Sequence, residues 1–146
     1  MSNLPIIMVF KKDDSMSSRE AVQWNVAMKN SDLISDLIYR TTMAELQGNM
    51  DTQFFCIRSL RNNVNYGLRK PEVEELDSLE QAFYKSKRII HIFSNTKERT
   101  REQTQKLNFT KDIQLKILRI YYRKVMDTLF HMGYFPRKEN RENLGF

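Results

Sequence analysis

Glycine and proline are both scarce, at 4 and 3 residues in a chain of 146. Tight connections between strands draw on both residue types, so their scarcity excludes a β-sandwich or barrel with many short turns. A single cysteine, Cys56, excludes an intramolecular disulfide framework and points to a reducing compartment. The longest apolar run is residues 4–10, far below the ~20 residues that a membrane-spanning helix requires. No basic residue precedes that run and no small-residue cleavage site follows it, so it makes a poor signal peptide. The few glycines also leave no Walker loop, no dinucleotide-binding loop and no nucleophile elbow.

Further absences narrow the chemistry. Two histidines, His91 and His131, with one cysteine cannot furnish a closed four-ligand zinc site of the common kinds. His-Glu-x-x-His is missing, and no lysine has an acidic residue two places before it, as many metal-dependent nucleases require. Neither histidine has an arginine upstream at the spacing used by helical-bundle ribonucleases. Cys56 and His91 form a formal thiolate–imidazole candidate. Cys56 nevertheless sits within Phe54-Phe55-Cys56-Ile57, where an unoxidised cysteine packs as a small hydrophobe. His91, between Ile90 and Ile92, reads as a partly buried polar residue, and His131 as a cation stabilised by a helix C-terminus. The acidic set Glu72, Glu74, Glu75, Asp77 and Glu80 suits the start of a helix without any metal. The expectation is no catalytic residue, no metal and no cofactor.

What the chain does contain is helical periodicity. Ser17 and Glu20 have capping-box spacing, which starts a helix near residue 18. Val22, Val26, Leu33 and Leu37 mark its apolar face, with Ile34 and Ile38 extending it and a break around residues 30–32. Gly48-Asn49 stops that segment. Asp51 is a candidate cap for the next helix, in which Phe54, Ile57, Leu60, Val64 and Leu68 fall at steps of three and four. Asn62, Asn63 and Asn65 are mediocre helix formers, so its second half should bend or fray. Pro71 suits the first turn of a further helix with the clearest heptad of the chain: Leu76, Leu79, Phe83, Ser86, Ile90 and Phe93. Residues 94–106 carry no apolar side chain and read as a partly helical, exposed connection. Asn108 or Thr110 can cap the last helix, which bears two apolar stripes. Ile113, Ile117 and Ile120 form one, and Leu115, Leu118, Tyr122, Val125, Leu129 and Met132 the other. A helix so widely apolar is either central in its fold or shared with another chain. Gly133 and Pro136 end it.

The expected class is all-α: a compact bundle of about four to five helices. Residues 1–17 form an N-terminal arm and linker, 18–136 the helical domain, and 137–146 a polar, charged tail. Ile6, Ile7, Val9 and Phe10 make the arm a candidate docking segment. Leu144 and Phe146 do the same for the tail.

The net charge of +6 is unevenly placed. Residues 81–146 hold fifteen basic and six acidic groups, a local +9. The basic groups include Lys85, Lys87 and Arg88, then Lys97, Arg99 and Arg101, then Lys116, Arg119 and Arg123, the last three at helical steps. Such asymmetry suits an anionic partner, although helix dipoles sort charge in the same sense. A helix-turn-helix reading around residues 29–32 is weakened by Asp32 and Asp36, where phosphate would face. The leading expectation is a non-enzymatic helical interaction or assembly subunit that docks other chains or itself, with no membrane partner. The alternative is a nucleic-acid-binding regulatory protein using the basic C-terminal half. Cytoplasmic residence is expected. Abundant Asn, Ile and Lys with little Ala suit an A+T-rich genome, as viral genomes often are, and residence is then in a virion or infected cell.

Overall fold

A computed structural model describes residues 31–134. The architecture is an all-α helical bundle. Its described elements are α1 (Ser31–Leu46), α2 (Met50–Val64), a 3-10 turn (Asn65–Gly67), α3 (Lys70–Ser94) and α4 (Arg101–His131), with no strand among the described residues. The arm bearing Ile6, Ile7, Val9 and Phe10, the helix start near residue 18, and the tail bearing Leu144 and Phe146 lie outside them. The described residues divide into two units, 31–69 with 122–134, and 70–121. Helix α4 therefore contributes its residues 101–121 to one unit and 122–131 to the other.

In the first unit, α1 ends as its sequence asks. Gly48 takes the left-handed conformation at φ 68°, and its N–H donates to the Glu45 carbonyl while Asn49 N–H donates to that of Ala44. These two bonds satisfy carbonyls that a helix end otherwise leaves open. Helix α2 then starts on Asn49 rather than Asp51: the Asn49 side chain accepts from Thr52 N–H at 3.1 Å, and Asp51 lies in the first turn. Ile34, Leu37 and Ile38 of α1 are buried, as are Phe54, Cys56, Ile57, Leu60 and Val64 of α2. Leu33, expected on the apolar face of α1, is exposed. The α-helical geometry of α2 gives way to the 3-10 turn after Val64, within the asparagine-rich stretch.

Gly67 ends that turn against the last helix. A Cβ at this position would lie 2.8 Å from Met132 Sδ and 3.1 Å from Thr128 Cγ2, so any larger residue would oblige these side chains to give way. Gly133, at φ 87°, stops α4 by the same two-bond device as Gly48, with Tyr134 N–H donating to the Leu129 carbonyl at 3.0 Å. Tyr134 and Leu129 are both fully buried, which supplies the apolar contact that accompanies this kind of stop.

In the second unit, Pro71 occupies the first turn of α3, where its missing N–H leaves no bond unmade. The heptad is the inward stripe: Leu76, Phe83 and Ser86 are buried, and Leu79, Ile90 and Phe93 are half-buried. Helix α4 begins earlier than Asn108 or Thr110 would place it. Thr100 and Gln103 form a reciprocal capping box, Gln103 N–H donating to Thr100 Oγ1 at 3.2 Å and Thr100 N–H to Gln103 Oε1 at 2.9 Å. Thr110 lies inside the helix, and its hydroxyl donates to the Lys106 carbonyl. Only residues 95–100 of the polar run lie outside a helix. Across that connection Lys106 Nζ stands 5.6 Å from the centre of the Phe93 ring.

Two measurements test this packing. Leu118 is 2% exposed, so Leu118→Ala is expected to cost ~2–5 kcal/mol through lost burial and a residual cavity. An unchanged melting temperature would make α4 peripheral. The second test concerns two phenols. Burial pushes the hydroxyls of Tyr122 and Tyr134 well above the usual tyrosine range, and for Tyr122 the Glu45 carboxylate adds to the effect. Above pH ~10 the unfolded chain sheds these protons while the folded chain keeps them, so stability falls as pH rises. Tyr122→Phe is expected to flatten that alkaline decline by up to ~1.4 kcal/mol per pH unit. Urea unfolding from pH 9 to 11 reads the difference.

Candidate functional site

Helix α4 is apolar on two sides. Within the second unit Leu107, Ile117, Leu118 and Tyr121 are buried, together with Thr110 and Gln114. The stripe expected from Ile113, Ile117 and Ile120 is split by this packing: Ile117 faces inward, while Ile113 is 38% and Ile120 is 40% exposed. Phe109, at 64% exposure, continues the outward row four residues before Ile113. Steps of four, three and four from Phe109 through Ile113 and Lys116 to Ile120 put all four on one side of the helix. This face was not legible as such, because the sequence groups Ile113 and Ile120 with Ile117, which turns inward. Its signal was Phe109, which extends the spacing of Ile113 and Ile120 along the flank of the core-facing stripe.

The basic residues singled out from the sequence are all solvent-facing: Lys85, Lys87, Arg88, Lys97, Arg99, Arg101, Lys116, Arg119 and Arg123. All of them except Arg123 belong to the second unit. Arg123 follows on α4 in the first. Arg99 Nη1 also donates to the Phe93 carbonyl at 3.0 Å, which draws its guanidinium towards the end of α3. A charge so placed helps to satisfy a helix C-terminus.

A second outward face lies on α3. Tyr84, Lys87, Arg88, His91 and Ile92 follow steps of three and four and line a surface depression of about 460 Å³. Tyr84 is 39% and Ile92 is 62% exposed. The Tyr84 ring stands edge-on to the buried Phe83 ring, with centroids 6.1 Å apart. His91 is exposed rather than partly buried, and the Asn95 side-chain nitrogen lies 3.1 Å from its Nε2. From Gln81 to Lys97 the chain has no carboxylate. The depression is an open, almost wholly apolar surface, to which Lys87 and Arg88 bring exposed cationic side chains beside the Tyr84 ring and Ile92.

The remaining titratable groups suit packing. Cys56 is buried in the first unit, and burial pushes its thiol above the ordinary range, against the lowering effects of Arg40 and a Thr41 hydrogen bond. A nucleophilic cysteine needs the opposite shift. His131 is exposed in the last turn of α4. Glu72 lies in the first turn of α3, as a carboxylate should. No group of three or more His, Cys, Asp or Glu side chains placed to hold a metal ion occurs among the described residues. Nor is any helix among them long and apolar enough to cross a membrane.

No protein-family model matches the chain, and neither a characterised protein nor a solved structure shows significant similarity to it.

Proposed function

We propose that the protein is a non-enzymatic helical interaction subunit that docks another protein chain on the outward face of α4. The observation that carries this reading is the exposure of Phe109, Ile113 and Ile120 in helical register alongside the buried stripe. Isolated exposed apolar residues need no explanation, whereas an aligned row is what a partner helix covers. Lys116 lies within the row and Arg119 beside it, both solvent-facing. The partner surface is therefore an amphipathic helix whose apolar residues are accompanied by carboxylates.

Charge disfavours a second copy of this chain as that partner. A two-fold antiparallel pairing that sets Ile113 against Ile120 centres beside Lys116, bringing two ammonium groups into one apolar seam. Like charges so placed cost several kcal/mol. An acidic partner turns the same lysine into a source of specificity.

A synthetic amphipathic peptide, with leucines at three- and four-residue spacing flanked by glutamates, is the probe. The wild-type protein is expected to bind it and to remain monomeric by light scattering across concentration. Ile113→Glu combined with Ile120→Glu should weaken binding by about tenfold or more, the loss expected at the centre of an interface. The melting temperature should fall only modestly, because each side chain is already about two-fifths exposed. Equal peptide affinity in the double variant would overturn the reading, and concentration-dependent oligomers that vanish in it would replace the acidic partner with a second copy.

A further inference from the structure

We infer that the outward face of α3 is a single-stranded nucleic-acid site, with a base stacked on Tyr84 and the backbone phosphates held by Lys87 and Arg88. The site is separate from the α4 face proposed for protein docking and rests on different residues. Single strands without defined sequence are held by a cationic track that follows the phosphates and by aromatic rings that stack on bases. The α3 face supplies both within two helical turns. Tyr84 is 39% exposed as a residue, and its ring stands edge-on to that of the buried Phe83. Ile92, 62% exposed at the other end of the depression, extends the apolar floor beyond His91. Lys87 and Arg88 stand between them on the same lining.

The depression of about 460 Å³ is of the size that encloses a small ligand. The surrounding charge decides between a free nucleotide and a strand. Lys85 adds to the cations of the face on α3, and Lys97, Arg99 and Arg101 follow in and after the connection, all exposed. A nucleoside monophosphate has a single phosphate group, and even a triphosphate gathers its charge in one short chain, so a free nucleotide engages only the nearest of these cations. A strand presents a phosphate at every residue and can engage them all. A duplex is less suitable, since its bases are already stacked on one another and offer no open face to an aromatic ring. An acidic protein segment would answer the charge but not the flat aromatic surface.

Fluorescence anisotropy with a labelled oligothymidylate of about twelve nucleotides tests the assignment. Binding is expected at ~50 mM salt and should weaken steeply by ~200 mM. Lys87→Gln with Arg88→Gln should reduce the salt slope by about 1.4, the share of two single-strand phosphate contacts. Lys116→Gln with Arg119→Gln removes the same charge from α4 and should cost clearly less affinity. Tyr84→Leu should lower affinity roughly five- to hundredfold at an unchanged salt slope, and Tyr84→Phe should restore it. Ile113→Glu with Ile120→Glu should leave oligonucleotide binding intact, so failure of the docking reading is told apart from failure of this one.

Absence of binding at ~50 mM salt would overturn the assignment. Equal losses from the two charge-removing pairs would reduce it to diffuse attraction, and an inert Tyr84→Leu would remove the stacking. Thymidine monophosphate competing as strongly as the oligonucleotide would make the site one for free nucleotides. Displacement of the oligonucleotide by the acidic peptide in the Ile113→Glu, Ile120→Glu variant would assign the face to a protein.

Discussion

Everything described here depends on one constraint: α4 is a single uninterrupted helix of 31 residues that must supply buried side chains to two units. Leu107, Ile117, Leu118 and Tyr121 serve one, and Tyr122, Val125, Met126 and Leu129 the other. Burying side chains of this kind stabilises by ~1.5–3 kcal/mol each, so the angular position of the inward stripe is held firmly. Once it is held, the outward residues have no freedom to turn in. Ile113 and Ile120 are exposed because Ile117, placed between them, is not.

Helix α3 answers to the same rule with a different outcome. Its heptad consigns Leu76, Phe83 and Ser86 to the interior. Tyr84, next to Phe83 and one step around the helix, is thereby left at the surface beside Lys87 and Arg88. The two outward faces thus share a composition, cationic groups among apolar ones, but differ in shape. The α4 row is aliphatic with one ring at its end, which suits another helix. The α3 face joins a ring to a shallow depression, which suits something flat and charged. Neither arrangement calls for a titrating nucleophile, and the buried, pK-raised thiol of Cys56 is of the kind that packs.

Much of the fold was legible in the sequence because periodicity reports which residues share a helix face. The repeat from Phe54 to Val64 and the heptad from Leu76 to Phe93 are the inward stripes of α2 and α3, and Gly48 and Gly133 stand at helix stops. The beginning of α4 was not legible. Thr100 and Gln103 exchange hydrogen bonds inside a wholly polar run, and such a cap leaves no trace in an apolar pattern. Nor could periodicity choose between the two stripes of α4, since burial is decided by neighbours far away in sequence. The candidate site was read in the same uneven way. Its cations stood out from the charge distribution, whereas Phe109, Tyr84 and Ile92 belonged to none of the stripes read from the sequence, and only their exposure in the fold marks them out.

The capping box has its own consequence for the ends of α4. Residues 101–106 include no apolar side chain, so their helical state rests on the Thr100–Gln103 exchange and on the Lys106 contact with Phe93. Interactions of this size hold a terminal turn by one or two kcal/mol, well short of the free energy that keeps a core closed. The first turns of α4 can thus unwind and re-form while the buried stripe beyond Leu107 stays in place. Their backbone amides would trade hydrogen for deuterium on a faster clock than those of Leu118 or Val125. The same opening would offer a protease the basic residues Lys97, Arg99, Arg101 and Lys106, so that limited digestion should find this junction before any other part of α3 or α4.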